Sequence, residues 1–406
     1  MTSTFAWLDY SEHERRKMLE LIEQFREQET RDELGIGSIR DAFADLLFPG
    51  TGTVQTRARY FLFVPWMYLG LEAQGAGPGR AEEQARREEL ALIESLVNAG
   101  ERKGVIGERA RRELKRLPSN IYWLGLGLWG IRRFHGSQDQ YHSLLDTNDL
   151  GWRAGRKNRR KEDGEPPDDS RPVNWHPGLP QAPPGFPRGT SFTLTRVEAE
   201  YLRERILARV PDTMLGYLAD RGRETEGVEF PWQHPQRAEL PTHLREQLDH
   251  GRLFSEAING AALLYNLMLA ETDGRRKLIV HYRKQLRDWG ILIEGRQVAL
   301  AGWDRKRCWE IVASGGAVVK PPTQTFVDRW VDHCLQPRDP AGAADSESMR
   351  RLVRERERAL KRSQSRLDNR RALELWKGAA GTSRLNYRWP RAEQIIADIL
   401  RGLRTA

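Results

Sequence analysis

Apolar residues recur along most of the chain at the three- and four-residue spacing that places them on one face of an α-helix. After Ser38, for example, Ile39, Phe43 and Leu47 share a face until Pro49 ends the pattern. The same spacing predicts further helices over 11–25, 80–97, 107–117, 196–208, 240–248, 255–269, 275–288, 326–335, 346–376 and 391–403. The sequence therefore predicts a mainly α fold, a multi-domain helical bundle with at most one or two short β-hairpins.

A change of composition at 151–190 divides the chain. This stretch is rich first in Arg and Lys, then in Asp and Glu, and finally in Pro, which blocks regular secondary structure. At 406 residues the chain is long enough for two or three domains. We therefore expect an N-terminal helical domain over 1–150, a basic and Pro-rich linker over 151–190, a second helical domain over 191–342 and an Arg-rich C-terminal helical region over 343–406.

Cysteine content and apolar runs bear on the compartment. Cys308 and Cys334 are the two cysteines of the chain, too few for a disulfide framework. The first residues lack the apolar stretch of a secretory signal. The longest apolar run, Tyr60 to Leu69, is about half the length that a membrane-spanning helix needs, so we interpret it as buried core. We expect a cytoplasmic protein with no membrane partner.

Two basic regions are candidates for nucleic-acid binding, because the chain carries a formal net charge of +9 and cationic side chains bind phosphate by releasing counterions. The first is a run free of carboxylates that comprises Arg153, Arg156, Lys157, Arg159, Arg160 and Lys161. The alternative interpretation is a solvated linker, balanced by the acidic residues of 162–169.

The second basic region is the predicted helix over 275–288. Its cationic residues are Arg275, Arg276, Lys277, Arg283, Lys284 and Arg287. The apolar stretches 291–294 and 297–300 flank Gly295 and Arg296, which predicts a β-hairpin near 291–300 with a type II′ turn. A helix followed by a hairpin is the order of a winged-helix module, in which these residues would face phosphate. Ordinary packing of the helix is the alternative.

Catalytic motifs are weak in this sequence. Gly125 to Gly130 matches G-x-G-x-x-G literally, but the flanking strand and long helix that dinucleotide binding requires are not predicted. Two groupings could hold a metal on one helical face, namely Asp139, His142 and Asp146, and separately His243, Glu246 and His250; neither matches a known ligand pattern. We therefore predict no catalytic residues, no resident metal and no cofactor.

Several blocks of sequence carry a resemblance to a known family. They read WLDYS at 7–11, DELGIGSIRD at 32–41, LFPGT at 47–51, QTRARYFLFVPW at 55–66, PSNIYW at 118–123 and LNYRWP at 385–390. Together they resemble an uncharacterised bacterial family of unknown function. The resemblance implies genes that often lie beside helicase and nuclease genes in bacterial defence islands. This implies a DNA-related role by association only. The resemblance supplies no site residues.

The expected function is that of a non-catalytic, nucleic-acid-associating accessory subunit of a bacterial defence or genome-maintenance system. It would contact backbone phosphates and join other protein subunits, with a helicase or a nuclease as the expected kind of partner. A second hypothesis is a protein-interaction scaffold that holds a catalytic partner through its C-terminal helices, where Val353, Leu360 and Leu367 recur every seven residues. A third is a cryptic metal-dependent nuclease built from carboxylates that are distant in sequence.

Overall fold

The computed structural model describes residues 33–74, 79–147, 174–225, 227–336 and 339–405. These residues form fifteen α-helices and five short 3₁₀-helices, and none of them lies in a β-strand. The predicted mainly α fold is confirmed. The helix predicted over 11–25 lies outside the described residues.

The α-helices of the first half of the chain are α1 (Gly37–Leu47), α2 (Tyr60–Gln74), α3 (Ala81–Asn98), α4 (Pro118–Leu128), α5 (Gln138–Thr147), α6 (Arg196–Arg209) and α7 (Met214–Arg221). Those of the second half are α8 (Thr242–Thr272), α9 (Arg276–Glu294), α10 (Gln297–Ala301), α11 (Arg305–Ser314), α12 (Pro321–Leu335), α13 (Glu347–Lys361), α14 (Arg370–Glu374) and α15 (Trp389–Arg404).

The contacts of the chain divide it into two compact units. The 42–249 unit also includes 386–405, and the 250–385 unit also includes the described residues 33–41. The domain boundaries that composition suggested at 150, 190 and 342 stay predictions. Part of the predicted linker packs within the 42–249 unit, since Trp175 is buried and the indole N–H of Trp66 donates to the carbonyl oxygen of Pro180 at 2.7 Å.

The core of the 42–249 unit is built around α2. Tyr60 to Tyr68 are all buried, as expected for an apolar run without a polar face. The neighbouring α3 is amphipathic and buries Ala85, Leu92 and Leu96 at helical spacing. On α4, a Cβ atom at Gly125 would lie 2.3 Å from the carbonyl oxygen of Gly50. Close helix packing therefore explains this glycine of the literal G-x-G-x-x-G match.

The 250–385 unit is organised around α8. The indole N–H groups of Trp289 on α9 and Trp330 on α12 each donate to a carbonyl oxygen of α8 at 2.8 Å. Among the described helices α8 alone has the length and apolarity to cross a membrane, but 94% of its most apolar window is buried inside the protein. It is therefore a core helix, and the cytoplasmic location stays a prediction.

Polar side chains on α8 hold an extended segment, 376–385, against it. Ser255 donates to the carbonyl oxygen of Leu385 at 2.8 Å, and Asn259 donates to that of Thr382 at 2.9 Å. About two turns further on, Asn266 donates to the carbonyl oxygen of Ala380 at 2.7 Å. These amide and hydroxyl groups satisfy backbone acceptors that would otherwise be buried without partners.

The β-hairpin predicted near 291–300 is wrong, because these residues are helical. Tyr282, Leu286, Trp289 and Ile293 form one buried face that carries α9 through to Glu294. Gly295 has φ −67°, whereas a type II′ turn requires a positive φ at that position. The short helix α10 follows directly, so the β-hairpin that a winged-helix module requires is absent from residues 291–300.

Three helix predictions also need correction. Residues 107–117 contain only the 3₁₀-helix Arg111–Glu113, because Gly107 and, within the range, Arg111 adopt positive φ angles of +78° and +46° that an α-helix does not allow. The helices predicted over 240–248 and 255–269 are one continuous helix, α8, whose buried face carries it past Gly251. The Arg-rich helix predicted over 346–376 ends at Lys361, since Arg362 has φ +50°.

Candidate nucleic-acid interface

One of the two predicted basic regions lies entirely within the described residues, on α9. The buried face of this helix packs inside the 250–385 unit, while its six predicted cationic residues lie on its other faces or at its start. The other predicted region, comprising Arg153, Arg156, Lys157, Arg159, Arg160 and Lys161, lies outside the described residues.

Half of the cationic residues of the α9 region are paired with carboxylates. Arg275 lies 2.5 Å from Asp273 and stacks over the Trp376 ring at 5.1 Å. Arg283 donates to both oxygens of Asp345 at 2.8 and 3.0 Å. Arg283, in a bidentate pair, is poorly available to phosphate, and Arg275 is held by Asp273 and the Trp376 ring, so these two residues serve the structure of the unit.

Lys284 is a weaker case. Its ammonium lies 2.8 Å from the carboxylate of Asp288, one turn along the helix, and both side chains are largely exposed. An exposed pair of this kind contributes little to stability and is screened by salt, so a phosphate can compete for the lysine.

The three remaining cations form the candidate interface. Arg276, Lys277 and Arg287 are exposed and have no carboxylate partner within the described ranges. Arg276 and Arg287 lie on the same side of the helix, about 17 Å apart along its axis. We call Arg276, Lys277, Lys284 and Arg287 the α9 basic face.

Exposed apolar side chains share this surface. Val280 is 71% exposed and lies one turn after Arg276, and Ile291 is 56% exposed and lies one turn after Arg287. On the next helix Val298 is 90% exposed. Aliphatic side chains add nothing to phosphate binding, so their presence here favours contact with a protein.

The predicted heptad stripe on the Arg-rich helix is wrong. Val353 is fully buried inside the 250–385 unit, and Leu367 comes after the end of α13 and is buried as well. Leu360 is 41% exposed. The apolar face of α13 therefore packs within its own unit rather than offering a coiled-coil seam.

Neither of the two candidate metal groupings is assembled in the described part of the chain. Within the ranges that the structure describes, no three His, Cys, Asp or Glu side chains lie close enough to hold a metal ion. Asp146 instead accepts from the backbone N–H groups of Arg80 and Ala81 and so caps α3. In the second grouping, the Trp303 indole N–H donates to Nδ1 of His250 at 2.8 Å.

Sequence reasoning missed a buried carboxylate cluster in the 250–385 unit. Glu357 is fully buried and accepts from the hydroxyls of Tyr265 and Ser365 at 2.5 and 2.8 Å. It also accepts from the backbone N–H groups of Arg366 and Leu367 at 2.8 and 3.1 Å. Burial alone would raise the pKa of Glu357, but these hydrogen bonds outweigh it and hold the pKa below its usual value.

Two cations complete this Glu357 cluster. The Lys361 ammonium lies 3.4 Å from Glu357 and also pairs with Glu33. Arg366 donates to Glu33 at 2.8 Å. The cluster thus ties residue 33 to the turn that follows α13, which identifies a structural role for these charges.

A second buried network lies in the 42–249 unit. The Gln138 side-chain amide donates to the hydroxyls of Tyr68 and Ser119 at 2.6 and 2.7 Å. Ser119 donates onward to Glu89 at 2.6 Å, and the Tyr68 hydroxyl forms a hydrogen bond with Nε2 of His142 at 2.8 Å.

The charge state of this Glu89 network follows from its burial. Burial raises the pKa of Glu89 to about 7, although hydrogen bonds from Ser119 and the charge of Arg86 oppose it. Burial lowers the pKa of His142, which keeps the ring neutral. One signal for Glu89 was present in the sequence, because it shares a helical face with Ala85, Leu92 and Leu96.

A small cavity in the 42–249 unit was also unforeseen. It has a volume of about 10 Å³ and lies among Thr225, His234, Trp389 and Glu393. The Thr225 hydroxyl donates to Glu393 at 3.0 Å, and burial raises the pKa of that carboxyl. The volume suits one water molecule.

Comparison with known proteins bears on the whole chain. A family model described as a family of unknown function, DUF6361, matches residues 2–401. The chain belongs to the DUF6361 family. Comparison with curated proteins and with solved structures gave no match. The resemblance drawn from the sequence blocks is therefore confirmed as membership of a family of unknown function, while the bacterial origin and the link to defence genes stay predictions.

Proposed function

We propose that this DUF6361 protein is a nucleic-acid-associating subunit that contacts backbone phosphates through the α9 basic face. The observation that supports the proposal is that Arg276, Lys277 and Arg287 are exposed, with no carboxylate partner within the described part of the chain. Cations in this state bind phosphate without first breaking an ion pair. Membership of a bacterial defence or genome-maintenance system remains part of the hypothesis.

The α9 basic face suits phosphate contact rather than base reading. Its cations are spread over about 17 Å of helix, more than the ~12 Å width of a major groove, so they would reach phosphates on either side of a groove. Contacts of this kind position a protein on nucleic acid and carry no sequence information.

The decisive experiment measures duplex and single-stranded DNA binding by fluorescence anisotropy over a series of salt concentrations. In the variant Arg276→Gln/Lys277→Gln/Arg287→Gln, we expect the slope of log K against log salt to fall by roughly 2 to 3, because about one counterion is released per phosphate contact. Binding at low salt should weaken by at least about tenfold.

A matched control changes the same amount of charge elsewhere. Arg87, Arg109 and Lys115 are exposed residues of the 42–249 unit, and their triple change to Gln should leave the salt slope as it is. Equal effects of the two triple variants would refute a specific role for α9. Neutralising Arg153 to Lys161 in the same assay tests the other predicted region.

Scaffolding is the second candidate function, and the exposed Val280 and Ile291 favour it. A basic surface with aliphatic side chains is complementary to an acidic protein surface with apolar residues. The variant Val280→Ser/Ile291→Ser should keep DNA binding intact if phosphate is the partner. Loss of a co-purifying protein from this variant, with DNA binding unchanged, would favour the scaffold.

A further inference from the structure

A second cationic cluster lies in the 42–249 unit, at the contact between residues 131–134 and residues 174–176. The backbone N–H of His176 donates to the carbonyl oxygen of Ile131 at 2.8 Å, and that of Arg133 donates to Asn174 at 2.8 Å. Arg132 and Trp175 form an antiparallel bridge between the same segments. The pairing brings together the two segments that carry Arg133 and His176, although these segments are far apart in sequence.

Helix α6 adds two residues from the same face. Tyr201 and Arg205 are one turn apart on this helix. The His176 ring lies 5.7 Å from the Tyr201 ring. Burial lowers the pKa of His176, and the charges of Arg205 and Arg133 lower it further. The same two charges act on the Tyr201 hydroxyl.

Three side chains of this cluster have polar groups without a partner among the described residues. Tyr201 is only 6% exposed, and its buried hydroxyl makes no hydrogen bond. Nε of Arg205 is buried and makes none either. Arg133 is exposed and has no carboxylate partner among the residues described. Buried donors are nearly always satisfied in folded proteins, so unpaired ones at a single place indicate a missing acceptor.

The imidazole also presents a donor. Nδ1 of His176 accepts from the backbone N–H of Gly178 at 3.2 Å, so the neutral ring carries its proton on Nε2. The exposed Glu204 is the acidic residue whose charge opposes the two guanidiniums at His176. The cluster therefore combines two guanidiniums, a phenol and an imidazole N–H with one carboxylate, and this balance of charge favours an anion.

We propose that Arg133, His176, Tyr201 and Arg205 form a binding site for the phosphate group of a small ligand. A phosphate dianion matches the two guanidinium charges, and its oxygens offer enough lone pairs for the phenol and imidazole donors as well. Guanidinium forks bind phosphate oxygens in pairs, which a lysine cluster does not do. The site belongs to a different unit from the α9 basic face and does not depend on the proposed nucleic-acid function.

The test is isothermal titration calorimetry of the full-length protein with inorganic phosphate. We expect saturable binding of one phosphate that weakens by about tenfold or more in Arg205→Gln, since a charged hydrogen bond is lost. Tyr201→Phe keeps the ring in place and removes only the hydroxyl, so it should fold normally and bind about threefold to tenfold more weakly. Both losses are expected together.

Matched controls separate this site from other cations. Arg196 lies on the opposite side of α6 and pairs with Glu200 at 2.9 Å, so Arg196→Gln should bind phosphate as the unaltered protein does. The α9 triple variant should also retain phosphate binding, even if it loses DNA binding. Phosphate binding that is not saturable, or that Arg205→Gln and Tyr201→Phe leave unchanged, would overturn the proposal.

Two further ligands define the source of the phosphate. Tighter binding of a nucleoside 5′-monophosphate than of inorganic phosphate identifies an esterified ligand, and tighter binding of inorganic phosphate identifies the free ion. Acetate, a planar monoanion, should bind at least about tenfold more weakly than either, because it uses fewer of the donors. Acetate binding as tight as phosphate would contradict the proposed ligand chemistry.

Discussion

Glu357 in the 250–385 unit and Glu89 in the 42–249 unit are both fully buried, but the protein surrounds them with different partners. Glu357 accepts from two hydroxyls and two backbone N–H groups and lies beside Lys361. Glu89 accepts from the hydroxyl and the backbone N–H of Ser119 only. Hydrogen bonds lower the pKa of the first against its burial, while burial raises the pKa of the second to about 7.

The comparison shows that burial alone does not set the charge of a carboxyl group. Enough donors make a buried carboxylate a stable anion, and too few make it a weak acid that gains a proton near neutral pH. The contributions of Glu357 and Glu89 to stability should therefore depend on pH in opposite ways. Substitutions at each site test this difference.

The largest effect is expected for Glu357→Gln. An amide has one acceptor oxygen where the carboxylate has two, and its NH₂ group would face donors such as Tyr265. It also leaves Lys361 without one of its two carboxylate partners. We expect the free energy of unfolding, measured by urea denaturation at pH 7, to fall by about 4 kcal/mol.

The control for this change is Glu355→Gln, on the same helix but exposed. It should cost less than about 0.5 kcal/mol, as surface substitutions usually do. A loss below about 1 kcal/mol for Glu357→Gln would mean that the neutral amide serves the cluster as well as the anion does.

The next effect is the pH dependence that Glu89 confers. Its pKa in the folded protein is about 7 against 4.5 for an unperturbed group, so the folded state binds the proton more tightly. Stability from this group is fully present below pH 4.5 and is lost as the pH rises through 7. We expect Glu89→Gln, which resembles the protonated acid, to gain about 3 kcal/mol relative to the unaltered protein between pH 4.5 and 8.

Urea denaturation of both proteins over this pH range measures the gain, and Glu83→Gln provides the control. Glu83 lies in the first turn of α3 and is exposed, so its removal should not change the shape of the pH profile. A constant difference between Glu89→Gln and the unaltered protein would show that Glu89 stays ionised in the fold. Glu357 has the opposite sign, since a lowered pKa means stability that is lost only as the pH falls below 4.5.

The sequence predicted the helices better than it predicted the surroundings of Glu89 and Glu357. Helix α3 was predicted with nearly correct bounds, because Ala85, Leu92 and Leu96 repeat at helical spacing. Glu89 lies on the same face, so its burial could be inferred as well. Its partner Ser119 and the network residue Gln138 lie on other helices, and no local pattern indicates that they meet.

The candidate interface shows the same limit. The cationic residues of α9 are visible in the sequence, but Arg283 is paired with Asp345, which lies far away along the chain. The apolar stretch Ile291 to Ile293 is too short for its pattern to distinguish a strand from a helix. The buried Trp289, which packs on α8, stabilises the helix instead. Local periodicity therefore predicts the element, whereas the availability of a charge depends on tertiary contacts.

The smallest expected losses of stability come from removing one tyrosine hydroxyl from each network. Tyr265→Phe removes a donor to the Glu357 anion, and Tyr68→Phe removes a hydroxyl that links the neutral groups of Gln138 and His142. A hydrogen bond to a charged acceptor contributes about 2 kcal/mol and one between neutral groups about 1 kcal/mol, so urea denaturation at pH 7 should show the larger loss for Tyr265→Phe. The phenyl ring preserves packing in both variants, which makes each the control for the other. Equal losses would argue that Glu357 carries no more charge than the groups around Tyr68, because the charge of the acceptor is what distinguishes the two hydroxyls.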